Sequence, residues 1–178
     1  MGGTVSVDGI DLEAVDFLLN QHAQIRAGLR EVASAHGPAK AAAFADLRRL
    51  ITVHETAEQE VLHPRMKEFT DVNSLLGQER HGTELLAELD QLDPSSDEFD
   101  SRFTRLAVEI IAHADHEELE EFPLVRRHLD TDERQRMGHA LRVAEASAPR
   151  HPQPPPPGAV AAVVDRVREA VRDMFSTK

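Results

Sequence analysis

The chain has 178 residues, 40% of them hydrophobic, and 32 acidic against 20 basic residues give a formal net charge of −12. This length and apolar content fit one globular domain with an appendage, and the negative sign disfavours nucleic acid or an anionic membrane as partner. Cysteine, tyrosine and tryptophan are absent, which excludes thiolate zinc sites, iron–sulfur clusters, disulfides, thiol peroxidases and a tyrosyl radical beside a metal.

The amino-terminal stretch MGGTVSVDGIDLEAVD has neither a basic n-region nor an apolar h-region, so a cytoplasmic protein is expected. Met1-Gly2-x-x-x-Ser6 matches a myristoylation pattern by chance: no polybasic partner follows, and one acyl chain anchors weakly. A first helix is expected from Asp8 or Asp11 to Ala35, with Leu12, Val15, Leu18, Leu19, His22, Ile25 and Leu29 on one stripe. Gly37-Pro38 ends it and opens a second helix, Pro38 to Phe69, which Pro64 should kink or interrupt. A third helix is expected from Asp71 to Leu92. Asp93-Pro94-Ser95-Ser96 then forms a loop and cap. A fourth helix runs from Asp97 to Leu129, broken near its end by Pro123, and Asp130 to Glu133 cap a shorter fifth up to Ser147. No segment alternates with period two, so no sheet is expected. The class is all-α: an antiparallel up-down four-helix bundle with additional C-terminal helices.

Residues 1–147 thus form the bundle with its short fifth helix. Residues 148–158, APRHPQPPPPG, read as an extended Pro-rich linker. Residues 159–178 carry a last amphipathic helix, with Val160, Val163, Val164, Val167, Val171 and Met174 on one stripe. This stripe should pack on the bundle or on a second copy. Asp165, Glu169 and Asp173 interrupt its basic face and argue against a membrane-surface helix.

Three sets of residues recur at one offset of 59 positions: His22 with His81, His54 with His113, and Glu58 with Glu117. Pro64 and Pro123 keep the same register, while little else matches between the halves. In each H-x-x-x-E pair the two residues lie about 40° apart around the helix and one turn along it, so both reach one inward point. His22 and His81 sit on the apolar stripes of the first and third helices. In a four-helix bundle all six residues can meet at one depth. Each of two metals would then take two His, His22 with His54 and His81 with His113. Glu58 and Glu117 would bridge them, and a solvent-derived oxo or hydroxo bridge would leave one position open on each metal. Imidazole plus carboxylate with expanded coordination suits iron or manganese better than structural zinc.

His63 lies five residues after Glu58, about 140° around a regular α-helix. Pro64 perturbs the helix there, so His63 is a candidate metal ligand, a candidate catalytic proton donor, or a residue outside the site. Across the repeat it faces Phe122. Glu55, Glu118, Glu120 and Glu121 are expected to face solvent, with His116 solvent-facing or beside the ligands. His36, His128, His139 and His151 read as surface residues, and Gln21 and Arg80 point about 100° away from the neighbouring lone His.

The order H…HxxxE…H…HxxxE, with His63-Pro64 and Phe122-Pro123 after the two glutamates, resembles the hemerythrin-like (HHE cation-binding) domain over about Asp8 to Leu129. The Pro-rich spacer and terminal helix also look like the tails of actinobacterial hemerythrin-like proteins, a less specific match. The resemblance implies a four-helix bundle holding two Fe ions as an Fe–O–Fe centre, with iron preferred over manganese. Oxygen carriers of this family have a further His where Leu85 stands here, and end in H-x-x-x-x-D where this chain has H-x-x-x-E. The departure disfavours reversible oxygen carriage. It leaves two classes open: a catalase- or peroxidase-like oxidoreductase acting on hydrogen peroxide, O2 or NO in oxidative stress, and an oxygen or iron binding, sensing or storage module without turnover. The expected partners are those small molecules, with no nucleic acid and no membrane, in a monomer or homodimer.

Overall fold

The computed structural model describes residues 12–71, 81–82, 84–147, 164–169 and 172. Its elements are α1 (Ala14–Ser34), α2 (Gly37–Ala57), a π-helical segment π1 (Glu58–Leu62) and α3 (His63–Met66). Helical residues 81–82 and 84–89, here α4, are followed by α5 (Asp97–His116), π2 (Glu117–Glu121), α6 (Phe122–His128) and α7 (Thr131–Ser147). Residues 164–169 form a last helical piece, α8. The described residues contain no strand, as expected. The Pro-rich linker, the myristoylation pattern, Arg80, His151 and most of the third helix's first half lie outside the described residues.

The helix boundaries follow local chemistry. Gly37 has φ +55°, a left-handed conformation that glycine adopts without strain, and it turns α1 into α2. Ser96 caps α5 by accepting the Phe99 N–H at 3.1 Å, and Asp130 accepts the Glu133 N–H at 2.8 Å before α7. The first helix begins later than its periodicity predicts. Leu12 and Glu13 are non-helical, and Glu13 is extended. The cause is α7: Arg142 donates to the Leu12 carbonyl at 2.9 Å, Arg134 pairs with Glu13 at 2.8 Å, and Gly138 lies directly beneath this backbone.

Two apolar clusters run across the bundle. One gathers Val15 and Leu18 of α1, Val53 and Ala57 of α2, Leu62 of π1, Val125 of α6, Leu141 of α7 and Val167 of α8. The other gathers Ile25 and Leu29 of α1, Phe44 and Leu47 of α2, Leu86 and Leu89 of α4, and Phe103 and Leu106 of α5. Each buried Leu or Phe contributes roughly 1.5–3 kcal/mol. The order of clusters along the chain gives the alternation of direction: α1 runs from the first to the second, α2 returns from the second to the first, and α5 continued by α6 also runs from the second to the first. Arg48 of α2 pairs with Asp90 at the end of α4, tying that helix to the bundle. The last helix packs back on the bundle through fully buried Val167 and an Arg168–Glu60 pair at 2.8 Å.

Candidate metal centre

Between the two apolar clusters lies a polar layer. His22 and Gln21 fall between Leu18 and Ile25 on α1, and His54, Glu55 and Glu58 follow Ile51 along α2 and π1. His113 and Glu117 follow Ile110 along α5 and π2. All of these side chains are buried, as are His63 and Glu121. Burying so many acceptors is costly unless positive charge sits among them.

The geometry brings four of the six repeat residues to one point. His22 Nε2 lies 3.1 Å from His54 Nε2 and 3.2 Å from Glu117 Oε2, and His54 Nε2 lies 3.4 Å from Glu58 Oε2. One ligand atom from each of His22, His54, Glu58 and Glu117 falls within 4.8 Å of the others. His113 Nε2 lies 3.2 Å from the other oxygen of Glu117, so this carboxylate spans His22 and His113. Two further groups share its members: Glu55, Glu58 and His113, and His63, Glu117 and Glu121.

The outer nitrogens orient the rings. His22 Nδ1 is 2.8 Å from Glu118 Oε1, which Arg26 also holds at 2.7 Å. His54 Nδ1 is 3.0 Å from Gln21, with the amide placed so that Oε1 faces the ring. Both partners are acceptors, so both Nδ1 atoms donate. In neutral rings the two Nε2 lone pairs then face each other alongside two carboxylates. Such a donor set fits a cation. Phe122 stacks on the His22 ring at 5.5 Å and closes it from the apolar side.

The pKa shifts agree with this chemistry. Burial pushes His54 down to about 3, with His22 and His113 adding to the effect against the opposing pull of Glu117. Burial likewise lowers His63 to about 4. For Glu117 burial alone would raise the carboxyl, but the rings of His113 and His22 beside it outweigh burial and hold the group well below the usual carboxylate range.

His63 reaches the site because the helix is not regular there. The His63 N–H bonds to the Glu58 carbonyl, and the Phe122 N–H to the Glu117 carbonyl, five residues back in each case. A turn closed this way stacks residue 63 over residue 58. The proline that follows supplies the cause: its ring clashes with the carbonyl four residues earlier, and a wider turn relieves the clash.

Other expectations are corrected. Glu55 and Glu121 are buried rather than solvent-facing. Gln21, given no role from its angle, orients His54. His81 is not brought to the cluster: its side chain is 47% exposed and lies 3.2 Å from Glu109 and 3.3 Å from Arg105. His113 therefore meets Glu117 and Glu55, not the His81 partner that the repeat implied. His116 is partly exposed, with Nε2 3.4 Å from Glu121. Expectation and structure agree that His36, His128 and His139 are exposed, as is Glu120. A cavity of about 360 Å³ leads from exposed His81 past Glu109 and His116 to Glu55 and His113.

The family pattern described as the hemerythrin HHE cation binding domain matches residues 13–125, a span that contains every repeat residue. A curated relative described as a DNA nickase, from Nostoc sp. (strain PCC 7120 / SAG 25.82 / UTEX 2576), is 25% identical over 147 residues. The match covers 80% of this chain and 42% of that protein, so the chain spans less than half the length of the curated relative it matches. No solved structure matches the chain. Among the described residues no helix is long and apolar enough to cross a membrane.

Proposed function

We propose, from the premise that the chain belongs to the hemerythrin HHE cation-binding domain family, that it is a non-haem di-iron protein reacting with a small oxidant. Hydrogen peroxide is the first candidate, O2 and NO the others. The observation that carries this reading is the buried layer of imidazoles and carboxylates converging between two apolar clusters. His22, His54 and His113, with Glu58 and Glu117, would hold the metals, and Glu118 and Gln21 would keep the Nδ1 atoms of His22 and His54 protonated and their Nε2 atoms available. Bound iron would supply one-electron redox and Lewis-acid chemistry.

The residues do the rest. The cavity past His81 and Glu109 admits a diatomic molecule or peroxide, while Leu18 and Phe122 of the first apolar cluster close the layer on their side. A ring nitrogen of His63, stacked over Glu58 by the π-turn, is placed to hold a proton at the edge of the site. The nicking activity named for the Nostoc relative is not carried over: the match covers 42% of that protein, and a net charge of −12 opposes binding to phosphate backbones.

The test is oxygen evolution from hydrogen peroxide by the iron-loaded full chain, with His63→Leu as the comparison. Turnover that falls at least about tenfold in the variant supports the reading. Reversible oxygen spectra without turnover point to a carrier. A sensing module is favoured by one observation: α8 touches π1 through Arg168 and Glu60. If Val167→Asp leaves peroxide turnover intact but abolishes a partner complex, sensing becomes the better account.

A further inference from the structure

We infer that Arg26 is a positioning residue: its guanidinium holds Glu118 against Nδ1 of His22, which keeps Nε2 of that ring turned into the buried layer. Arg26 itself lies outside the layer, 27% exposed, and its role rests on the cation-binding reading above.

Two successive glutamates flank one imidazole. Glu117 Oε2 lies 3.2 Å from His22 Nε2, and Glu118 Oε1 lies 2.8 Å from His22 Nδ1. Glu117 is buried. Glu118 is 28% exposed, so water competes with the ring for its carboxylate. Arg26 opposes that competition. It follows His22 by four residues, which places both side chains on one face of α1. Its Nη1 donates to the same Glu118 oxygen at 2.7 Å, and its Nη2 donates to Asp115 at 2.7 Å. One planar fork thus spans two carboxylates three residues apart, which would repel each other without the cation between them. The bond to Glu118 pushes the guanidinium above its ordinary value, with partial burial working against it and Asp115 adding to it.

The sequence repeat gives this network no counterpart. At the offset of 59, Leu85 stands for Arg26, Thr56 for Asp115 and Gln59 for Glu118. The ring of His54 bonds through Nδ1 to the neutral amide of Gln21. Of the two rings, His22 is the one with a carboxylate on Nδ1, which makes it the more basic donor. An exposed ion pair is worth little to folding, so a role confined to stability predicts almost no effect on metal binding.

The ferrous-iron affinity of the full chain is measured by competition against a chelator for the native sequence, Arg26→Leu, Arg26→Lys, Glu118→Leu and the double variant Arg26→Leu with Glu118→Leu. Circular dichroism checks folding, and Arg26→Gln takes the place of Arg26→Leu if that variant misfolds. The expected result is a loss of about tenfold in Arg26→Leu. The loss is smaller in Arg26→Lys, which keeps the charge without the fork. Adding Arg26→Leu to Glu118→Leu costs nothing further. The metal-free chain gives a second readout. The Nδ1–H resonance of His22, assigned by its absence in His22→Gln, is protected from exchange with water in the native protein and broadened by exchange in Arg26→Leu. An affinity within about threefold of native in Arg26→Leu, an equal loss in both backgrounds, or an unchanged His22 resonance overturns the assignment. A native chain that binds no iron overturns the cation-binding reading instead, and the metal-free resonance then decides whether Arg26 positions His22.

Discussion

The Nδ1–H of His54 donates to the side-chain carbonyl of Gln21 at 3.0 Å, inside the bundle and away from water. This bond fixes the tautomer of His54 and points Nε2 at His22, Glu58 and Glu117. Hydrogen bonds of this kind typically matter 10–100-fold for metal affinity. Gln21→Leu keeps the volume and removes the acceptor, so the expected outcome is a loss of affinity of about that size with helix content unchanged. Competition against a chelator measures it. A loss under about threefold would mean that the packing around His54 orients the ring without Gln21.

Acid weakens the metal-free chain. The folded state holds His54 at about 3 and His63 at about 4, both below the ordinary 6.5, because burial penalises the charged ring. Below pH ~6.5 the unfolded chain binds protons that the folded chain refuses. The stabilisation from the two neutral histidines is therefore complete above ~6.5 and lost as pH falls toward the folded values, at up to about 1.4 kcal/mol per pH unit for each. Glu117, depressed by His113 and His22, adds the same sign below its ordinary 4.5. The expected outcome is a Tm that falls steadily between pH 7 and 5 in chelator-treated protein. A flat profile over that range would show that neither imidazole is buried in its neutral form.

Gly138 sits where no side chain fits. A Cβ there would lie 2.3 Å from the Leu12 carbonyl oxygen and 2.9 Å from the Glu13 carbonyl carbon. Both obstacles are backbone, so they cannot rotate away. Gly138→Ala should cost about 1–3 kcal/mol through overpacking, with Tm falling roughly 2–4 °C per kcal/mol for a chain of this size. Thermal melting checks it. An unchanged Tm would mean that the Leu12–Glu13 entry detaches from α7 at little cost.

The helices and the repeat were legible because each rests on periodicity: the stripes of α1, α2 and α5 recur at helical spacing, and the His/Glu pairs recur at one offset. What escaped the sequence escaped for definite reasons. Gln21 lies on the flank of its helix in a helical-wheel projection, yet the neighbouring α2 covers that flank, and only tertiary packing says so. Glu55 and Glu121 stand among exposed glutamates of identical type, and no local signal separates a buried carboxylate from a solvated one. His81 carries the repeat's register, but register alone does not turn a side chain inward. The start of α1 lies later than periodicity implies because contacts from α7, more than a hundred residues later, hold Leu12 and Glu13 out of the helix.

Pro64 and Pro123 were legible as perturbations, and the structure gives their form: a π-turn before each. Pro64 is exposed, so its own packing contributes little, and its effect is on the backbone of Glu58–Leu62. Pro64→Ala restores an N–H that can bond the Glu60 carbonyl and removes the ring that clashed with it. A regular α-turn then becomes available, which moves His63 from above Glu58 to about 140° around the axis. The expected outcome is a protein as stable as the native chain or more so, with the same metal content but a perturbed site. The absorption of its iron–azide complex should shift toward that of His63→Leu. If the Pro64→Ala spectrum instead matches the native one, the π-turn is held by the packing of Leu62 and Met66 rather than by the proline.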